Sequence, residues 1–140
     1  MFTRQFRHAE CACGSNMDGD IPDAWLDIAR KLKVPFDEEK YYHPEFEGYE
    51  PGTIIKQADV VLLGFPIMYI RDNQSRKNDL DIYELVTRED GPAMTWSMHA
   101  IGHLELRDEE RAAQLLNRSY QSYLVEPFKK WNEAQDKTGA

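Results

Sequence analysis

The polar residues with the clearest chemical potential in this sequence are Lys56 and Gln57, which stand side by side before an apolar run from Val60 to Ile70. Lysine is a point-charge donor, and a glutamine amide offers both a donor and an acceptor. Such a pair at the mouth of a buried segment suits a polyhydroxylated ligand. The spacing is equally compatible with a surface Lys and Gln that lead into a core element.

A second candidate is Glu133, which follows Trp131 closely near the end of the sequence. A carboxylate beside a large ring is an environment that tunes an acid or a base and that binds sugars. Alone, the same pattern also fits an exposed glutamate. The loop 43–49 combines Glu45 and Glu47 with a histidine and aromatic rings, which suits either carbohydrate binding or a loop anchored by its rings.

The histidines do not predict a metal centre. His99 and His103 are four residues apart on one helical face, but the acid of an H-E-x-x-H motif is missing and the residues between them belong in a core. We therefore interpret both as interior side chains. His8, Cys11 and Cys13 supply only three candidate ligands on a polar leader. We expect no metal ion and no cofactor.

Composition limits the functional classes. A chain of 140 residues falls in the size range of one domain, and a net charge of −8 argues against non-specific nucleic-acid binding. The longest apolar run is shorter than the roughly 20 residues that span a bilayer, so no membrane partner is expected. Residues 1–13 contain no apolar h-region of a secretory signal, which favours the cytoplasm.

The apolar periodicity predicts a mainly helical chain after an irregular leader, residues 1–20. A helix starting at Pro22 should bury Trp25, Ile28, Ala29 and Leu32 and end before Pro35. The segment 53–63 fits either a helix or a helical turn followed by a buried strand, Val60–Phe65, in an α/β ligand-binding domain. A long loop from Asp37 to Gly52 is typical of functional segments.

Three further helices are predicted downstream. Asn78 is a candidate N-cap for a helix through Val86, and a helix from Ala93 to Leu106 is apolar on every side and should be buried. Asp108 is the candidate N-cap of a helix that ends before Pro127. Its inward stripe is Ala112, Leu115, Leu116, Tyr120 and Tyr123. The last two helices would form an antiparallel hairpin, the unit of helical bundles and toroids.

Several segments together resemble glycoside hydrolase family 65, which includes acid trehalases and disaccharide phosphorylases. The segment 56–60, KQADV, resembles the substrate motif of the family. The others are VPFD at 34–37, HPEF at 43–46 with GY at 48–49, GPAMTWSM at 91–98, and EPF at 126–128 with Trp131. The resemblance covers residues 21–140, and residues 1–20 match nothing in the family.

The resemblance implies an all-α fold, part of an (α/α)6 barrel, and hydrolysis of an α-glucosidic bond with inversion. The substrate would be a trehalose-like disaccharide or a glycosylated hydroxylysine. In the family, the base of the hydrolases lies in a Trp-x-Glu element, which corresponds to Glu133 here. Lys56 and Gln57 correspond to the pair that holds glucose. The segment 88–92, REDGP, lacks the His- and Ser-rich stretch of the phosphorylases, which favours water as the nucleophile.

The same resemblance implies an incomplete catalytic domain. The general acid of the family lies in an upstream element that has no match here, so we expect the isolated chain to be inactive and poorly soluble. An alternative is a non-catalytic carbohydrate-binding or regulatory helical module derived from the family.

Overall fold

The computed structural model describes residues 22–69 and 72–134. The leader 1–20 lies outside these residues, so its assignment stays a prediction, as does that of residues 8, 11 and 13. The chain divides into two compact units, Met1–Val34 and Pro35–Ala140. Within the described ranges, no helix combines the length and the apolar character needed to cross a membrane.

The first unit contributes one described helix, α1 (Asp23–Lys31), directly after Pro22. Its acidic first residue and basic last turn complement the helix dipole. The predicted helix is confirmed. Of its predicted buried face, Ala29 is buried, but the prediction is wrong at Trp25, Ile28 and Leu32, which are all more than half exposed. Periodicity identifies an apolar face, whereas burial needs a partner surface that the pattern itself does not specify.

The second unit holds the helices α2 (Asn73–Val86), α3 (Ala93–Glu105) and α4 (Glu109–Gln121) and a 3₁₀ helix (Asp59–Leu63). A short antiparallel hairpin follows, in which β1 (Leu124–Val125) pairs with β2 (Lys130–Trp131). Leu124 lies opposite Trp131 in this hairpin. The described chain is therefore mainly helical, as predicted.

The start of α2 corrects one predicted cap. Asp72, not Asn78, is the N-cap, and its Oδ1 accepts from the backbone N–H groups of Gln74 and Ser75, each at 2.9 Å. Asn78 lies inside the helix, where its amide donates to the carbonyl of Tyr41 at 2.9 Å. Both residue types are common N-caps. In the structure, the Asn78 side chain instead contacts the loop that contains Tyr41.

The apolar segment after Gln57 forms the 3₁₀ helix. Of the two alternatives for this segment, the strand Val60–Phe65 is therefore wrong, and the helical alternative holds over Asp59–Leu63. The N–H of Val61 donates to the carbonyl of Ala58, and that of Gly64 to the carbonyl of Val61, each at 3.3 Å. Val60 and Val61 are buried. A short apolar run does not by itself separate a buried strand from a buried helical turn.

The helices α3 and α4 pack against each other and are joined by a short connection, which confirms the predicted hairpin. Asp108 caps α4 as predicted and accepts from the N–H of Arg111 at 3.2 Å. The prediction that α3 is buried all round is wrong at Leu104, which is 54% exposed. In α4, Leu116 is also exposed, whereas Leu115 is buried.

Two buried apolar clusters support these elements. The first joins the aromatic loop (residues 37–52), the 3₁₀ helix and α2. Its members are Tyr42, Tyr49, Ala58, Val60, Val61, Leu80, Tyr83 and Val86. The second joins α3, α4 and the residue that precedes β1, and its members are Ala93, Trp96, Ala100, Leu115 and Tyr123. Ala93, the first residue of α3, is a member of the second cluster.

Candidate functional site

The backbone holds Lys56 beside the start of α3. The N–H of Ile55 donates to the carbonyl of Val86, and the carbonyl of Ile55 accepts from the N–H of Arg88, each at 2.9 Å. Gly91 then passes so close to the Lys56 carbonyl oxygen that a Cβ at Gly91 would lie 2.5 Å from it. Only glycine permits this approach, which places Lys56 against the turn that leads into α3.

Glu133 reaches the same helix start from the other side. The N–H of Ala93, the first residue of α3, donates to the backbone carbonyl of Glu133 at 2.8 Å. The N–H of Asn132 donates to the carbonyl of Tyr123 at 2.9 Å, which fixes the segment after β2. The segment that carries Lys56 and Gln57 therefore contacts Gly91, and the segment that carries Glu133 contacts Ala93, two residues further along the chain.

The side chains of the predicted site differ in their surroundings. Lys56 and Glu133 are exposed, and Gln57 is half-buried. Gln57 Nε2 donates to Asp59 Oδ1 at 3.0 Å. Because a carboxylate only accepts hydrogen bonds, this contact fixes which end of the amide faces Asp59 and leaves Gln57 Oε1 to accept from another group.

Glu45 anchors the 3₁₀ helix that begins next to this pair. Its carboxylate accepts from the N–H of Asp59 at 2.9 Å and from the N–H of Val60 at 3.3 Å. Burial raises the pKa of the Glu45 carboxyl, although these two hydrogen bonds act in the opposite direction. Glu45 therefore orders the backbone that carries Asp59, a role that its residue type did not reveal.

The aromatic loop around Glu45 is anchored by its own rings. Tyr42, His43 and Tyr49 are buried, and the hydroxyl of Tyr49 donates to the carbonyl of Thr53 at 3.0 Å. The ring of Phe46, which is about half exposed, packs edge-on against that of Tyr49. Of the two interpretations of this loop, the contacts favour a loop anchored by its rings.

A small cavity lies between the 3₁₀ helix and the first turns of α3. It has a volume of about 10 Å³ and is lined by Gln57, Ala58, Asp59, Leu62, Met94, Thr95 and Met98. Thr95 is only 4% exposed, and its Oγ1 has no hydrogen-bond partner among residues 22–69 and 72–134. An unpaired buried hydroxyl is uncommon in folded proteins and calls for an explanation.

The two histidines of α3 are interior residues, as predicted. His99 is fully buried, and its ring stacks on that of Trp96 with the centroids 5.9 Å apart. Burial lowers the pKa of His99 to about 3, and the nearby cations His103 and Arg76 act in the same direction. His103 lies 3.5 Å from a carboxylate oxygen of Glu84.

A buried arginine joins the three elements around these histidines. Arg76 of α2 is 4% exposed and donates to the carbonyl of Val61 at 2.7 Å and to Glu105 Oε2 at 3.0 Å. Gly64 and Gly102 leave the room for it, since a Cβ at either glycine would lie within 2.7 Å of the guanidinium. Arg76 and Glu105 thus form a paired contact that joins α2 to α3, beside the ring of His99, whose two nitrogens have no hydrogen-bond partner among the described residues.

Comparison with known proteins identifies the class. No family model matches the chain. It is 54% identical over 120 residues to protein-glucosylgalactosylhydroxylysine glucosidase of Gallus gallus, covering 86% of this chain and 17% of that protein. The enzyme of the same name from Danio rerio is 52% identical over 118 residues, or 84% of this chain and 18% of that protein. A periplasmic/secreted acid trehalase of Candida glabrata is 29% identical over 127 residues, or 88% of this chain and 10% of that protein.

The chain is thus homologous to a segment of these glucosidases, and its more distant similarity to an acid trehalase agrees with the predicted resemblance to glycoside hydrolase family 65. More particularly, its relatives at 47–54% identity are named protein-glucosylgalactosylhydroxylysine glucosidase. The chain spans less than one fifth of the length of these relatives, between 17 and 19%.

Proposed function

We propose that the full-length protein containing this chain hydrolyses an α-glucosidic bond with inversion, in a glucosyl-galactosyl-hydroxylysine or in a trehalose-like disaccharide. Glu133 acts as the general base, and Lys56 and Gln57 hold the glucose. The chain contributes part of an (α/α)6 barrel. The substrate class follows the names of the relatives at 47–54% identity.

The observation that carries this proposal is the meeting of the two predicted segments at the start of α3. Gly91 touches the carbonyl of Lys56, and Ala93 bonds to the carbonyl of Glu133. The segments are more than 70 residues apart in sequence, and nothing in their local patterns requires them to meet. A sugar-holding pair and a base have to lie on one surface if they act on one bond.

The proposed chemistry assigns one role to each group. Glu133 accepts a proton from a water molecule as that water attacks the anomeric carbon, while an acid on the opposite side protonates the leaving oxygen. In inverting enzymes the two carboxyl groups stand roughly 6.5–9.5 Å apart, which leaves room for the water. The acid comes from outside these 140 residues, so the isolated chain should not turn over.

The test is the Glu133→Gln variant of the full-length protein, assayed by glucose release from a glucosyl-galactosyl substrate. Loss of the base should lower kcat about 10²–10⁴-fold, with a smaller change in KM. Glu126→Gln is the matched control, since Glu126 is an exposed carboxylate of the same hairpin region and pairs with Lys129. It should leave kcat unchanged.

Two results would contradict the proposal. Full activity of Glu133→Gln would remove Glu133 from the role of base. Glucose binding without any glucose release by the unaltered full-length protein would favour the alternative, a non-catalytic carbohydrate-binding module.

A further inference from the structure

The buried residue Tyr123 bonds to both chain segments that carry the predicted site residues. We propose that Tyr123 is a positioning residue, which holds the segment of Lys56 and Gln57 and the segment of Glu133 in fixed relative positions at the start of α3. This inference rests on the proposed function and adds a residue to it. In this role Tyr123 acts through the backbone of the two segments and not through contact with the substrate.

The hydroxyl group of Tyr123 fixes the turn 91–93, which leads into α3. It donates to the carbonyl of Gly91 at 2.7 Å, and Gly91 is the residue whose backbone closely approaches the carbonyl of Lys56. Gly91 is buried. A buried backbone carbonyl needs a hydrogen-bond partner, and Tyr123 provides it. The position of this turn beside the Lys56 segment therefore depends on Tyr123.

The backbone of Tyr123 fixes the segment of Glu133. Its carbonyl accepts from the N–H of Asn132, the residue before Glu133, at 2.9 Å. The carbonyl of Glu133 in turn accepts from the N–H of Ala93, at 2.8 Å. Tyr123, the turn before α3 and the Glu133 segment thus form a closed ring of three hydrogen bonds, so that a shift of one part is transmitted to the other two.

The Tyr123 hydroxyl is itself held in one orientation. It accepts from Trp96 Nε1 at 3.2 Å while it donates to the Gly91 carbonyl, so both its donor and an acceptor site are in use. Both rings are buried, and the guanidinium carbon of Arg118 lies 3.5 Å from the centroid of the Trp96 ring, a stabilising cation–π contact. A side chain locked by packing and hydrogen bonds can hold a site with the precision that catalysis needs.

The two segments depend on Tyr123 to different degrees. The segment of Lys56 is also held by the two backbone hydrogen bonds of Ile55 described above. The segment of Glu133 follows a hairpin of only two residue pairs, and its backbone bonds run to Tyr123 and to the turn before α3. Loss of the Tyr123 hydroxyl should therefore displace the base more than the sugar-holding pair.

The test is Tyr123→Phe in the full-length protein, which removes the hydroxyl and keeps the ring and the backbone carbonyl. We expect kcat for glucose release from a glucosyl-galactosyl substrate to fall about 10–100-fold, because a small misplacement of a catalytic group is costly. KM should change less than about 3-fold, since the sugar-holding segment keeps its other contacts. Circular dichroism checks that the variant is folded at the assay temperature.

Tyr83→Phe is the matched control. Tyr83 is also fully buried, and its hydroxyl also donates to a backbone carbonyl at 2.7 Å, that of His43, which lies outside both site segments. Loss of either hydroxyl should lower the melting temperature by a similar amount, but Tyr83→Phe should leave kcat unchanged. Equal losses of kcat in the two variants would mean general destabilisation and would overturn the inference. Full activity of Tyr123→Phe would overturn it as well.

A double-variant cycle with Glu133→Gln gives a readout that a merely structural role would not move. If Tyr123 acts by positioning Glu133, then Tyr123→Phe should hardly lower the residual activity of Glu133→Gln any further, so the two effects are not additive. The same fold-loss in both backgrounds would show that Tyr123 acts independently of the base, contrary to the inference. Full activity of Glu133→Gln would contradict the proposed function itself, whereas an impaired Glu133→Gln beside a fully active Tyr123→Phe would contradict the inference alone.

Discussion

Two regions around α3 carry ionisable or polar residues. They differ in how many of these side chains form ion pairs or hydrogen bonds within the protein. In the interior between α2, α3 and α4, Arg76 bonds to Glu105 and to a backbone carbonyl, and Glu84 pairs with Arg111. At the start of α3, Lys56 and Glu133 are exposed, and the buried Thr95 hydroxyl has no hydrogen-bond partner among the described residues.

The difference indicates how structural and chemical roles separate in this chain. In the interior, Arg76 pairs with Glu105 and Arg111 with Glu84, whereas both ring nitrogens of His99 have no hydrogen-bond partner among the described residues. Because the paired groups join neighbouring helices, their removal should reduce stability. The side chains of Lys56 and Glu133 at the start of α3 are exposed, so they should contribute little to the stability of the fold. Their removal should reduce ligand binding while the fold stays intact.

The largest expected effect concerns Arg76 in the interior. Arg76→Ala removes the buried partner of Glu105 and of the Val61 carbonyl, and we expect a loss of about 3–5 kcal/mol in the free energy of unfolding. Urea denaturation measures it. Lys77→Ala is the neighbouring control, because Lys77 forms only an exposed pair with Asp81 and should cost less than about 1 kcal/mol.

An Arg76→Ala variant as stable as the unaltered protein would remove the distinction between the two regions. So would a variant that stays folded and loses sugar affinity, since Arg76 would then act on the site rather than on the fold.

The second effect concerns Lys56 and Gln57 at the start of α3. Lys56→Ala and Gln57→Ala should each weaken glucose binding by the full-length protein about 10–100-fold, because a hydrogen bond to a charged or buried polar group contributes roughly 1.5–3 kcal/mol. The melting temperature should hardly change, as for other surface substitutions. Calorimetry with glucose provides the measurement.

Matched controls for this pair lie on α2, where Lys77 and Gln74 form only local contacts. Lys77→Ala and Gln74→Ala remove the same side-chain types and should leave glucose affinity unchanged. Equal losses in the controls and in the site variants would mean that the effect is non-specific charge or solubility, and would contradict the assignment of Lys56 and Gln57.

Much of the helical framework could be predicted from local patterns. The helix after Pro22, the hairpin of α3 and α4, and the Asp108 cap follow from periodicity and capping chemistry, which act within a few residues. The cap of α2 was predicted wrongly, and the conformation after Gln57 was left open between a helix and a strand. In both places the structure has a contact between residues distant in sequence, that of Asn78 with Tyr41 and that of Glu45 with Asp59.

The candidate site was predictable only in part. Lys56, Gln57 and Glu133 stood out through motifs, but their meeting depends on Gly91 and on the backbone contact of Ala93, which no local pattern encodes. Glu45, which accepts from the backbone N–H groups of Asp59 and Val60, carried a weak signal at most, because carboxylates are abundant in this chain. The unpaired state of Thr95 is visible only from its surroundings.

The last prediction tests the interior through pH, where the difference between variants is a slope per pH unit. The pKa of His99 is lowered to about 3 in the folded protein, so its contribution to stability is present above about pH 6.5 and is lost as the pH falls toward 3. Between about pH 6 and 4, the His99 ring is protonated in the unfolded chain and unprotonated in the folded protein. The free energy of unfolding should therefore fall by about 1.4 kcal/mol per pH unit from this residue.

His99→Phe keeps an aromatic ring beside Trp96 and removes the titration, so its unfolding free energy should fall less steeply over the same pH range than that of the unaltered protein. Urea denaturation at pH 7, 6, 5 and 4 gives the two slopes. The pKa of His103 is also lowered by burial, so some slope should remain in the variant. Ser97→Ala is the control and should show the same slope as the unaltered protein. If His99→Phe also shows that slope, the His99 ring is protonated in the folded state, contrary to its role as a neutral packing group.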